Sequence, residues 1–430
     1  MKRIEPIKKP LRGDLSVPGD KSIAHRAVIF GSIAKGTTRI FNMTGGDDNS
    51  RTVRAFRQMG VAIGRDGDGL AIDGKGWKGL HAPAAALDCG NSGTTMRLMS
   101  GLLAGLPFHS ELDGDGSLRQ RPMQRVIDPL TQMGARIRSK SGNGLAPLEI
   151  DGGGLKGIHY PMPIASAQVK SAVLLAALQA SGATTLVEPQ PSRNHTEVMI
   201  RGFGGSIAVD GMNITLTGGQ SLIGQEVLIP GDISSAAFFL VAAALIPGSE
   251  VTIRNVGCNP TRDGVIEVLR RMGALIELSN ERQAAGERLA DIRVRGGKLN
   301  GIDIGPELVA RTIDEYPILS IAGAMAHGVT TFSGVKELRY KESDRIAAMT
   351  EGLRILGVVV DERQDGMTIY GGQHRPFKSG AVRSFADHRV AMSFAIAGLL
   401  SDGAIEIDDA RCADISFPTF FDLLEKVCLH

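Results

Sequence analysis

Residues 166–187 read SAQVKSAVLLAALQASGATTLV. A polar opening with one lysine leads into an alanine-rich apolar run, the run stops at Gly182, and a β-branched stretch follows. The run is apolar nearly all round, which predicts a helix buried on every side rather than a surface helix with one apolar stripe. A glycine after such a run suits the left-handed C′ position, and TTLV has strand composition. The pattern occurs six times. Its stopping glycines are Gly36, Gly105, Gly182, Gly248, Gly328 and Gly403, roughly 66 to 80 residues apart, which marks an internally repeated architecture.

Five repeats carry a second, amphipathic helix ending on a shared signature: FRQMGVAI, LTQMGARI, IRGFGGSI, LRRMGALI and LRILGVVV. Again a glycine cap leads into a strand. Each repeat therefore reads as a βαβαββ module, and the fold class is α/β: six such repeats, three per domain, with buried helices and outer sheets. At 430 residues the chain exceeds what one core comfortably serves. Pro-Gly-Asp crossings at residues 17–21 (VPGDK) and 229–233 (IPGDI) mark the boundaries. The expected domains are 19–232 and 233–430, with an N-terminal strand in 1–18 joining the C-terminal domain.

The 48 basic and 46 acidic residues nearly cancel, so no global field favours nucleic acid or an anionic membrane. Cys89, Cys258, Cys412 and Cys428 stand far apart, with no CxxC and no histidine at metal-ligand spacing; reduced cysteines, a cytoplasmic location and no metal site are expected. The N-terminal MKRIEPIKKPLRGD lacks the apolar core of a signal peptide, and the most apolar run, Ala236 to Ile246, is about half of what spans a bilayer.

The chemistry gathers at the helix starts, which read GDKSIAHR, GNSGTTMR, ASAQVKS, GDISSAA, IDEYP and ADHRVAM. First-turn N–H groups lack internal partners and carry the positive end of the helix dipole, so parallel helices whose starts converge attract anions. Lys21, Arg26, Arg97, Arg121, Arg193, Lys341, Arg345 and Arg389 fall at or near these openings. Asp314 and Glu342 lie among them, as acids suited to general acid or base work.

The segments PGDKSIAHRA, GNSGTTMR, DGDGSLRQRPM, ASAQVKSAVLLAAL, SRNHTE, IDEYPILSIA, YKESDR and FADHRVAM occur in order along nearly the whole chain. In them the chain resembles the 5-enolpyruvylshikimate-3-phosphate (EPSP) synthase family. The resemblance implies the two-domain enolpyruvyl transferase fold, an interdomain cleft that closes on substrates, and transfer of the enolpyruvyl group of phosphoenolpyruvate to the 5-hydroxyl of shikimate 3-phosphate. It implies no metal or organic cofactor, only small-molecule partners, and a monomer. By the same resemblance, Lys21, Ser22, Arg26, Ser166, Ala167, Gln168, Arg193, Asp314 and Lys341 hold shikimate 3-phosphate, with Ser166 and Arg193 on its phosphate. Lys21, Gly93, Arg121, Gln168, Glu342, Arg345 and Arg389 take phosphoenolpyruvate. Asp314 accepts the hydroxyl proton, Glu342 protonates the methylene carbon, and Lys21 assists catalysis.

Two departures from the family pattern stand out. Ile415 occupies a position where some members have lysine. Ser166-Ala167-Gln168 resembles the subgroup with inhibitor-tolerant members, whereas Gly93 resembles the sensitive kind. A sister family on the same fold transfers enolpyruvyl to UDP-N-acetylglucosamine, but it carries a reactive cysteine in its first domain and Lys-Asn where this chain has Lys21-Ser22. No cysteine lies between Cys89 and Cys258. A binding protein without catalysis is the remaining alternative, and it would not require acids among its cations.

Overall fold

Six glycine-terminated apolar runs become six buried helices in the computed structural model, which describes residues 1–43, 45–67, 69–372 and 376–428. The chain divides into two units, one of Gly19–Ile229 with Gln283–Glu287, the other of Met1–Pro18, Pro230–Arg282 and Arg288–His430. Each has its own hydrophobic core.

In the unit containing Gly19–Ile229 the buried helices are Lys21–Ile33, Gly93–Ala104 and Ala167–Ala177. Around them lie three four-stranded sheets with one pairing pattern. Ala183–Val187, for example, pairs parallel with His159–Pro161 and antiparallel with Asn213–Thr217, which pairs antiparallel with Ala208–Asp210. Along Ala183–Val187 burial alternates, so Thr184 and Leu186 face the helices. Two of the helices touch backbone to backbone: a Cβ on Gly101 would stand 1.9 Å from the Ala172 carbonyl oxygen. Only glycine fits that crossing.

The other unit repeats the plan around Ile233–Leu245, Tyr316–Met325 and His388–Gly398. All thirteen residues of Ile233–Leu245 are buried, as its unbroken apolar composition requires. Arg12–Ser16 lies parallel to Glu250–Gly257 in this unit, and Glu226–Leu228 lies parallel to Lys35–Phe41 in the other. The sixth repeat departs in detail. Its strand Ile405–Ile407 pairs parallel with Gly380–Val382 and antiparallel with Lys2–Ile4, so the N-terminal strand closes this sheet. A second helix, Phe420–Cys428, follows; no strand follows it among the described residues, so it lacks the glycine signature of the other five.

Those five signatures are one device. Gly60, Gly134, Gly204, Gly273 and Gly357 all have φ between 83° and 103°, and the N–H two residues past each cap reaches back five residues, as Val61 does to the Phe56 carbonyl at 3.0 Å. In four repeats an arginine three residues before that glycine donates to a carbonyl on, or directly before, the following strand: Arg57 to Ile63, Arg201 to Ile207, Arg270 to Ile276 and Arg354 to Val360. These cations fasten helix to strand. The glycines after the first helices correct the C′ expectation. The Lys21–Ile33 helix ends on extended Ala34, and the left-handed residue is Gly36, two further on and already in the strand.

Candidate active site

In the unit of residues 19–229, side chains from all three helix starts meet. Arg26 donates from Nε to Thr196 Oγ1 (2.7 Å), from Nη1 to the Ser22 carbonyl (2.9 Å) and from Nη2 to Ser171 Oγ (2.7 Å). Burial pulls its pKa down to about 10 despite the nearby carboxylates of Glu197 and Asp20. Arg97 donates to Gln168 Oε1 at 2.6 Å, and Gln168 Nε2 donates to Thr94 Oγ1 at 3.0 Å. Arg121 folds over the Asn91 carbonyl and side-chain oxygen, reaching Ser117 Oγ at 3.3 Å. Lys21 Nζ donates to Asp48 Oδ2 at 2.8 Å. Gly93 opens its helix with Arg97 and Arg121 beside it. A methyl there would stand 2.8 Å from Arg97 Nη1 and 3.4 Å from Arg121 Nη1, and its φ is not left-handed, so crowding rather than backbone strain favours glycine.

A buried hydroxyl chain runs beneath these cations. His25 Nδ1 pairs with Thr52 Oγ1 at 2.7 Å, Thr52 with Thr95 Oγ1 at 2.9 Å, and Thr95 donates to Ser92 Oγ at 2.8 Å. Burial holds His25 down to about pKa 3, with Asp48 opposing and Lys21 and Arg26 assisting. The unfolded chain titrates this group near 6.5, so the neutral fold is fully favoured above about pH 6.5 and loses stability as pH falls towards 3. The expected slope from this one group is about 1.4 kcal/mol per pH unit. Urea unfolding between pH 6.5 and 4.5 should be flatter for His25→Gln by about one proton; equal slopes would place a charged His25 in the fold.

In the other unit the centre is Arg345, 1% exposed. It donates from Nε to Asp387 Oδ2 at 2.8 Å and from Nη2 to Glu342 Oε2 at 2.7 Å, and Nη1 lies 3.5 Å from Asp314 Oδ1. Lys341 Nζ approaches that same Asp314 oxygen at 3.6 Å. Arg389 Nη1 donates to the Asp314 carbonyl at 3.1 Å, and Ser343 Oγ to Asp387 at 3.0 Å. The surrounding carboxylates outweigh burial and raise the Arg345 pKa above its ordinary value, and Arg345 lowers that of Asp387 against the opposing effect of burial. Three carboxylates on one buried guanidinium form a charged cluster, two of whose acids, Asp314 and Glu342, remain partly exposed.

The structure corrects two local expectations. Asp314 does not begin the helix Tyr316–Met325; it lies in the turn before Glu315, the N-cap residue. Glu342 lies in a bend ahead of Arg345–Ile355. The helix starts are also less open to anions than their dipoles alone imply. Asp20, Asp232 and Asp387 cap theirs with carboxylates, and Ser92 and Ser166 with hydroxyls, Ser166 Oγ accepting from the Val169 N–H at 3.4 Å. Ser22, Ser166, Ala167, Gln168 and Arg193 are all half-buried. Ile415 packs against the apolar core of its unit. Asp48, Asn91 and Asp387, which orient Lys21, Arg121 and Arg345, escaped the sequence reading; only Asp387, directly before a helix in FADHRVAM, carried a capping signal.

Among the described residues no three His, Cys, Asp or Glu side chains could hold a metal ion, and no helix is long and apolar enough to cross a membrane. A family profile described as EPSP synthase (3-phosphoshikimate 1-carboxyvinyltransferase) matches residues 6–424. The chain belongs to the EPSP synthase family. It is 52% identical over 419 residues to the 3-phosphoshikimate 1-carboxyvinyltransferase of Geobacter metallireducens, covering 97% of each chain. It is 53% identical to that of Halorhodospira halophila, covering 97% of this chain and 94% of the relative. A solved EPSP synthase structure from Acinetobacter baumannii superposes with a TM-score of 0.89 at 48% identity, over 99% of this chain and 97% of that one. The two-unit α/β architecture is the family's.

Proposed function

We propose that the chain transfers the enolpyruvyl group of phosphoenolpyruvate to the 5-hydroxyl of shikimate 3-phosphate, releasing phosphate. Shikimate 3-phosphate is held by Lys21, Ser22, Arg26, Ser166, Ala167, Gln168 and Arg193, with Asp314 and Lys341 at its 5-hydroxyl. Phosphoenolpyruvate is held by Lys21, Gly93, Arg121, Gln168, Glu342, Arg345 and Arg389. The observation that supports this most is the pair of partly exposed acids, Asp314 and Glu342, on one buried arginine beside Lys341. A purely binding site for two polyanions gains nothing from acids there.

An incoming phosphoenolpyruvate brings further negative charge to Arg345, and anions crowded on one cation favour a proton on one of them. Glu342 carries that proton and delivers it to the methylene carbon. The resulting cationic carbon is attacked by the 5-hydroxyl oxygen while Asp314 accepts the hydroxyl proton. The C–O bond to phosphate then breaks, Glu342 recovers a proton from the methyl group to restore the double bond, and Asp314 yields its proton to the released phosphate. Water would quench the cationic carbon, so the reaction needs a site that excludes it. A monomer in the cytoplasm completes this reading.

Phosphate release and the vinyl proton signals of the product should both require shikimate 3-phosphate and phosphoenolpyruvate together. Release from phosphoenolpyruvate alone, or no release with both, would overturn it.

A further inference from the structure

Lys170 is a buried cation that the reaction does not use. Its side chain is 1% exposed, on the first turn of Ala167–Ala177. Its Nζ donates to Glu188 Oε2 at 3.0 Å and to the Ser192 carbonyl at 3.2 Å, and lies 2.7 Å from Glu197 Oε1. Both carboxylates are also buried, and Ser192 Oγ donates to Glu188 Oε1. The partners follow the chain in order. Glu188 directly follows the strand Ala183–Val187, Ser192 lies mid-loop, and Glu197 lies in the first turn of His195–Gly202. One ammonium thus fastens both ends and the middle of the loop that presents Arg193.

Two further facts tie this loop to the helix start. Ser166 is four residues before Lys170, on the same helix face, and its carbonyl accepts the Lys170 N–H at 2.9 Å. Arg26 pins the adjoining Thr196, which also pairs with Ser171 at 2.7 Å. An ion cluster this deep adds little net stability, since desolvation offsets most of its attraction; what it supplies is one geometry.

We propose that Lys170 is a positioning residue for phosphate recognition: through Glu188, Ser192 and Glu197 it fixes Arg193 relative to Ser166. This rests on the assignment of Ser166 and Arg193 to the phosphate of shikimate 3-phosphate. In Lys170→Met the loop keeps its sequence and loses its anchor. Calorimetric affinity for shikimate 3-phosphate should fall by about 10-fold or more, shikimate itself should bind about as before, and the KM for phosphoenolpyruvate should move by less than about 3-fold. A loss of general integrity would weaken all three alike, so the ratio of shikimate 3-phosphate to shikimate affinity is the deciding measurement. Lys170→Met/Glu197→Gln removes one uncompensated carboxylate and should recover thermal stability without recovering that ratio.

Should Lys170→Met not fold, Glu188→Gln keeps the cation, weakens its hold on the loop, and should lower the ratio by a smaller factor. An unchanged ratio in the folded variants overturns the proposal. Arg193→Ala separates the two layers. If it lowers the ratio and the Lys170 and Glu188 variants do not, positioning alone fails; if Arg193→Ala leaves the ratio intact, the phosphate assignment fails as well.

Discussion

Asp314→Asn should lower kcat by about 10² or more while leaving KM for both substrates within a few-fold. The carboxylate oxygen lies 3.6 Å from Lys341 Nζ and 3.5 Å from Arg345 Nη1, so two cations surround an acceptor that is 15% exposed. Asparagine keeps the shape and an oxygen near both cations but cannot take a proton from a hydroxyl. Removing a negative charge also makes the surroundings more favourable to anionic ligands, so weaker binding is not the expected cause of lost turnover. Steady-state kinetics with each substrate varied in turn separates these effects. Near-normal kcat would remove Asp314 from the role of base and leave it as a partner of Lys341 and Arg345.

Arg345→Met should cost about 3–5 kcal/mol of stability at neutral pH and abolish measurable turnover. Methionine fills much of the volume but leaves Asp387, fully buried, facing Glu342 and Asp314 without their shared cation. The sign of the pH dependence follows from Asp387. In the native chain its pKa is lowered, so its contribution is present above the unfolded value of 3.8 and lost only as pH falls through the still lower folded value. Without Arg345, burial dominates and a carboxyl of the cluster takes up a proton instead. The stability gap between native and variant chains should therefore be widest near pH 7 and narrow towards pH 4. Urea unfolding at both values measures it. A gap below about 1 kcal/mol at both values would mean that the cluster is solvated rather than buried.

The repeats, the six buried helices and the five capped second helices could be read directly from the chain because each depends on local chemistry. An all-apolar helix has no solvent face to offer, and a residue at φ near 90° after a helix is most readily glycine. The cations and the two acids could be named because they lie in short motifs at or near helix openings. Local chemistry does not determine which partner a charged side chain takes. Arg57, Arg201, Arg270 and Arg354 have the same composition as a site arginine, yet each is absorbed by a carbonyl on, or directly before, the next strand. Lys170 sits in a quoted motif, and only the packing of a strand, a loop and a helix around it makes it an anchor. The sheet that Lys2–Ile4 joins likewise depends on contacts between residues distant in sequence. Conformational preference acts within a few residues, so the chain alone determined the modules and their ends. Desolvation and charge pairing act across space, so only the tertiary structure decided which buried charges face each other and which remain open to a ligand.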